Sequence, residues 1–158
     1  KNVDNLIRAY SKVKTDIKLY LVGPDDYFLK RVVLLIKKLN LNNKVIIKRN
    51  LTSYKLPELY INATALIHPS LSEGFGLPII EAAYFGVPII ASKIDVFKEI
   101  LDGKYVGFDP SDINDIKEKI EFFIRERPKF EYKNLLKKYS FEKMTKKTLE
   151  LYIDVLKI

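Results

Sequence analysis

The chain of 158 residues has no cysteine and a single histidine, so it carries no disulfide framework and no metal site built from Cys and His ligands. Long hydrophobic runs are also missing. Runs such as those at residues 32–36 and 87–91 fall far short of the ~20 apolar residues that cross a bilayer core. With only six glycines and seven prolines, and with 47% hydrophobic and 30% charged residues, collagen-like and wholly disordered classes are excluded. The phosphate loop G-x-x-x-x-G-K-[ST] does not occur. A dinucleotide fingerprint fails too, because Gly74-x-Gly76 is followed by Ile79 where the third glycine belongs, which argues against a dehydrogenase. A phospho-receiver domain fails at His68-Pro69, a strand end with no acceptor Asp. The chain opens Lys1-Asn2-Val3-Asp4 without an apolar run, so neither a secretory leader nor an oxidising compartment is expected. The expected location is cytoplasmic, with peripheral contact at the inner membrane face as an extension.

What is present fits one domain, since a chain of this length hides roughly 70% of its unfolded surface. Lys and Arg number 28 against 20 Asp and Glu, a formal charge of +8. Such an excess suits phosphate ligands, nucleic acid or an anionic membrane, and equally suits ordinary solvated helix faces. A non-catalytic basic module is therefore one reading. It would dock Lys143, Lys146 and Lys147, opposite Leu149, Tyr152, Ile153 and Leu156, on an anionic membrane or nucleic acid, with steep salt dependence. The last helix is expected instead to pack on its own sheet and reach toward another domain, and no nucleic-acid partner is expected.

Periodicity predicts alternating elements. Residues 17–23, 44–48, 65–68, 87–92 and 105–108 read as strands; 27–39, 57–62, 78–85, 95–101 and 112–125 read as helices, the last opened by Ser111 as N-cap. Two further helices are expected over 132–139 and 141–156. This alternation predicts an α/β fold with a doubly wound parallel sheet covered on both faces. An amphipathic helix carrying Leu6, Ile7, Tyr10 and Val13 comes first, with no strand before it. The expectation is a fragment of a longer protein, lacking a first strand and another domain.

The segment with chemistry is Pro69-Ser-Leu-Ser-Glu-Gly-Phe-Gly-Leu-Pro78, which follows a strand and enters a helix. Ligands of open parallel sheets bind at that edge, and a loop running into a helix N-terminus presents free N–H groups to an anion. Glu73 and Glu81 lie eight apart, and carboxylates suit the vicinal hydroxyls of a ribose or hexose. A second reading stands beside this one. Ser70-Leu-Ser-Glu73 matches a capping box, and an acidic residue near a helix N-terminus stabilises it without any ligand, although two glycines after Glu73 are poor helix formers. Asp25-Asp26 after Gly23-Pro24 reads as a turn and not as an Asp-x-Asp metal motif, so no metal is expected.

Glu73-x7-Glu81, written Glu-Gly-Phe-Gly-Leu-Pro-Ile-Ile-Glu-Ala, resembles the E-x7-E signature of retaining GT-B glycosyltransferases of the large family 4 group. The opening Lys1-Asn-Val-Asp, Phe85-Gly-Val-Pro-Ile-Ile-Ala-Ser92, Asp109-Pro-Ser-Asp112 and Tyr139-Ser-Phe-Glu142 extend the likeness along nearly the whole chain. The resemblance implies the Rossmann-like C-terminal half of such an enzyme, a single nucleotide-sugar-binding domain over residues 1–158. The acceptor, a glycan or lipid-linked sugar, would be bound mainly by an N-terminal domain. By motif position it implies Glu73 as the catalytic residue, with Lys1, Gly74, Phe75, Gly76, Leu77 and Glu81 holding the donor. It also implies retention of configuration, no cofactor and no metal. His68 ends a strand and is read either as a structural histidine or as a contact to the donor sugar. Arg49 stands where relatives commonly have Gly, beside the loop expected to meet the base.

Overall fold

The computed structural model describes residues 1–52 and 54–156. Strands and helices alternate in the order α1 (Val3–Tyr10), β1 (Leu19–Gly23), α2 (Tyr27–Lys38), β2 (Val45–Arg49), α3 (Leu56–Ile61), β3 (Leu66–His68), α4 (Leu77–Tyr84), β4 (Ile89–Ser92), α5 (Asp95–Leu101), β5 (Val106–Phe108), α6 (Ile113–Glu126), α7 (Lys133–Lys138) and α8 (Phe141–Leu156). Boundaries fall within two residues of those expected from periodicity.

Among the described residues all pairing is parallel, as the helical crossovers require. Their strands fall into two sheets. β1 pairs with β2, and β3–β4–β5 make a second sheet in which β4 is central and wholly buried. One apolar cluster nonetheless spans both sheets: Leu19 and Val45 from the first and Ile90, Val106 and Phe108 from the second share it with Leu6, Ile7 and Tyr10 of α1 and Ile116, Ile120 and Phe123 of α6. On the other face Ile79, Ala82 and Ala83 of α4 pack with Phe97, Ile100 and Leu101 of α5 and Tyr132 and Leu135. Helices thus cover both faces of β4, whose continuous apolar run has no polar side to show.

Two local expectations are corrected. The N-cap of α6 is Asp112, whose carboxylate accepts from the N–H groups of Asn114 and Asp115, because an extended Asp112 places its oxygen over the open donors of the first turn. Ser111 instead donates its own N–H to Asp109. Helix α8 does not pack on its sheet: it buries no residue, and Phe141, Leu149, Tyr152 and Leu156 stay exposed. Its tether is a Lys143 ammonium donating to the carbonyl of Lys137. Among the described residues no helix is long and apolar enough to cross a membrane.

Candidate functional site

The site forms where β3 and β4 end. His68 closes β3 in register with Ala91 of β4, and the chain then runs through Pro69 and Ser70, both buried, into the loop that opens α4. The loop's last residue, Gly76, has φ +89, and a Cβ there would lie 2.7 Å from the Phe97 ring. Only glycine meets both conditions, so Gly76 lets the loop turn tightly onto α5 and aims the start of α4 at the strand ends. Pro78 follows in the first turn, where its missing N–H leaves nothing unsatisfied.

Glu73 is the hub. Its Oε1 accepts from Ser70 Oγ at 2.7 Å, lies 3.1 Å from His68 Nε2, and pairs with the Lys1 ammonium. Burial alone would raise its pKa, but the bonds from Lys1, Ser70 and His68 outweigh that and hold the carboxyl at about 2. It is an ionised carboxylate at any working pH. The His68 ring lies against Phe97, centroids 5.2 Å apart, and burial pushes its pKa below the ordinary value despite the neighbouring Glu73. A neutral imidazole facing a carboxylate carries its proton on the nitrogen that faces it, so Nε2–H donates. The Ser70–Glu73 spacing that suggested a capping box is therefore used differently. The serine hydroxyl meets the glutamate side chain, and the N-cap of α4 is Gly76 with no side-chain cap.

Glu81 lies one turn into α4, and its Oε2 accepts the hydroxyl of Tyr60 from α3 at 2.8 Å. Both carboxylates thus have one oxygen engaged. Glu73 Oε2 and Glu81 Oε1 take no hydrogen bond among the described residues. Lys1, His68, Pro78, Tyr60 and Glu81 border one groove of about 1750 Å³ that runs between the two sheets, with Leu19, Leu21, Ile47 and Ile67 in its walls.

The structure brings Lys1, His68 and Glu73 into contact, and Glu81, with its own partner, borders the groove that Lys1 and His68 also border. Gly74 is exposed, Leu77 is exposed, and the Phe75 ring packs edge-on against Tyr139, centroids 5.4 Å apart. What Gly74 to Leu77 offer a ligand is therefore their backbone N–H groups, at the positive end of α4. Farther along the edge, Arg49 is paired with Asp25 at 3.4 Å, Asp25 takes Asn50 Oδ1 on its N–H, and Asp26 caps α2 by accepting from Leu29. Two members of the site carry no such signal in the sequence. Ser70 reads there only as part of a capping box, and Tyr60, 21 residues from its partner, belongs to no motif that local spacing could reveal.

Residues 1–143 match the family model described as Glycosyl transferases group 1. The O-antigen chain mannosyltransferase RfbU of Salmonella typhimurium is 34% identical over 113 residues, covering 71% of this chain and 32% of that protein. The serotype-specific mannosyltransferase WbdA of Escherichia coli is 41% identical over 105 residues, 62% of this chain and 12% of that protein. The chain therefore spans a third or less of these curated relatives. Among solved structures, HepE of Anabaena in complex with UDP superimposes with a TM-score of 0.83 at 20% identity, covering 95% of this chain and 44% of that one, and shows the fold. The C-terminal domain of a glycosyl transferase group 1 family protein, LpcC of Francisella tularensis, has a TM-score of 0.70 at 26% identity over 80% of this chain and 70% of that one.

Proposed function

The chain belongs to the group 1 glycosyl transferases, and from that premise we propose that it is the donor half of a GT-B enzyme, binding a nucleotide diphosphate sugar at the carboxyl ends of its parallel strands. The observation that carries the reading is the hub at Glu73: an ionised carboxylate held by Lys1, His68 and Ser70, beside a run of free N–H groups at the start of α4. The named relatives RfbU and WbdA are mannosyltransferases, and HepE is described with UDP, which supports a nucleotide-linked hexose as donor.

In this reading Glu81 holds the ribose hydroxyls through its unengaged oxygen. Glu73 orients the donor sugar, the N–H groups of Gly74, Phe75, Gly76 and Leu77 meet the diphosphate, and Lys1 turns from Glu73 to the same phosphates. His68, neutral and fixed on Phe97, keeps Glu73 in place and faces the sugar. Cleavage of the glycosidic phosphate bond builds negative charge on the departing nucleoside diphosphate. Prearranged donors and a fixed cation stabilise that charge more than they stabilise the intact donor, which is the differential binding that catalysis needs. Transfer proceeds without a metal and with retention, by attack on the face the nucleotide leaves, with no protein nucleophile.

The acceptor is a glycan or lipid-linked sugar held by a further domain of the whole protein, peripheral at the inner membrane face. The facing edges of β1 and β3, unpaired among the described residues, and the apolar groove between them support a further parallel strand in that protein. The 158-residue chain should accordingly transfer no sugar by itself. The test is proton NMR of the anomeric product. The whole protein should yield a product with the donor's anomeric configuration in the presence of EDTA. Inversion, loss of activity with EDTA, or transfer by this chain alone would each contradict the corresponding part.

A further inference from the structure

We infer that Tyr60 is a positioning residue for Glu81, fixing that carboxylate so that its second oxygen selects a ribose diol over a deoxyribose; the inference rests on the donor-site reading above. The phenol hydroxyl donates to Glu81 Oε2 at 2.8 Å, and the ring is clamped in a parallel stack on Phe85, centroids 5.5 Å apart at 10°. Phe85 is itself braced edge-on by Tyr84, centroids 5.2 Å apart. Burial, with the hydrogen bond and negative charge of Glu81, pushes its pKa well above the ordinary value, so the hydroxyl remains a donor wherever the protein is folded.

The consequence is directional. A glutamate on a helix surface has three rotatable bonds, and ordering it against a ligand costs side-chain entropy at the moment of binding. Here a charge-assisted bond from a rigid phenol fixes it beforehand and occupies one oxygen. Glu81 Oε1, unpartnered among the described residues, is left as the acceptor for an arriving pair of hydroxyls. Tyr60 does not need to touch the ligand to set its specificity. Removing the hydroxyl releases Glu81 and erodes only the part of the affinity that comes from the sugar diol.

The test is calorimetric titration of the whole protein and of its Tyr60→Phe and Glu81→Ala variants with UDP, GDP and ADP and with the 2′,3′-dideoxy form of whichever binds. Phenylalanine keeps the stack on Phe85, and a thermal melt checks that the variants fold. Wild type should prefer the ribonucleotide. Tyr60→Phe should weaken that ligand about tenfold, the order of the side-chain entropy that an unheld Glu81 then loses on binding, and leave the dideoxy form unchanged. In the Glu81→Ala background the same change should have no effect. A tyrosine with a merely structural role would weaken both ligands alike, and that result would overturn the inference. A ribose preference that Glu81→Ala abolishes and Tyr60→Phe retains would overturn it while leaving the donor-site reading intact. Equal binding of the two nucleotides by wild type, or no binding of any, would overturn both.

Discussion

Glu73 shows how a partly buried carboxylate is kept charged. Its folded pKa of about 2 lies below the ordinary 4.5, so the unfolded chain binds the proton more readily. The stability this gives is complete above pH 4.5 and is lost as pH falls through 2. His68 acts in the same direction at higher pH, because its lowered pKa means that the unfolded chain takes up its proton first. Thermal midpoints should therefore decline in two stages on acidification, one below about pH 6.5 and one below about 4.5. Ser70→Ala removes one of the bonds that hold Glu73 down. It should cost about 1 kcal/mol at neutral pH and shrink the lower of the two stages, with no change in the upper one. A pH series of calorimetric scans on both proteins checks this. Gly76 makes a sharper case: alanine there meets a left-handed backbone and the Phe97 ring at once. Gly76→Ala should lower stability by about 2 kcal/mol or more, where Gly74→Ala, with nothing within 4 Å of its Cβ, should cost little. Denaturant melts of the pair decide it.

At the scale of elements, the helices were legible because their apolar spacing and their stop signals agree. α5 begins and ends, and α8 begins, where periodicity places them, and α2 runs from Tyr27 until its last turn ends at Leu39. The cap of α6 was not legible from composition alone. Ser111 and Asp112 are both good capping residues, and only the extended backbone at Asp112 decides between them. Asp112→Ala should cost about 1 kcal/mol of stability and Ser111→Ala close to nothing, measured as urea midpoints at unchanged slope. The fate of α8 was beyond reach for a different reason. Its amphipathic pattern announces a face to be covered, but periodicity does not name what covers it, and here the sheet does not.

Across the whole molecule, the α/β class and parallel pairing followed from strand and helix alternation, and the separation into two sheets did not, because pairing partners are a property of space rather than of spacing. The candidate site was legible to the same degree. Glu73, Gly76 and Glu81 sit in one short segment, so their proximity is local, and Lys1 joined them through family likeness. Tyr60 comes from another element, and Ser70 gained its role only when the loop folded back on Glu73. The molecule as a whole presents a basic surface, a groove between its sheets, and two carboxylates each with one oxygen held by the protein and one without a partner among the described residues.

The central claim is that this groove edge binds a nucleoside diphosphate through Glu81 and the hub around Glu73. The direct measurement is isothermal calorimetry of the whole protein with UDP, GDP and ADP at two salt concentrations, alongside Glu81→Ala. One nucleotide should bind saturably, keep most of its affinity at the higher salt, and lose at least tenfold with Glu81→Ala. Absence of binding by all three nucleotides, or binding that Glu81→Ala leaves untouched and salt removes, would contradict the account.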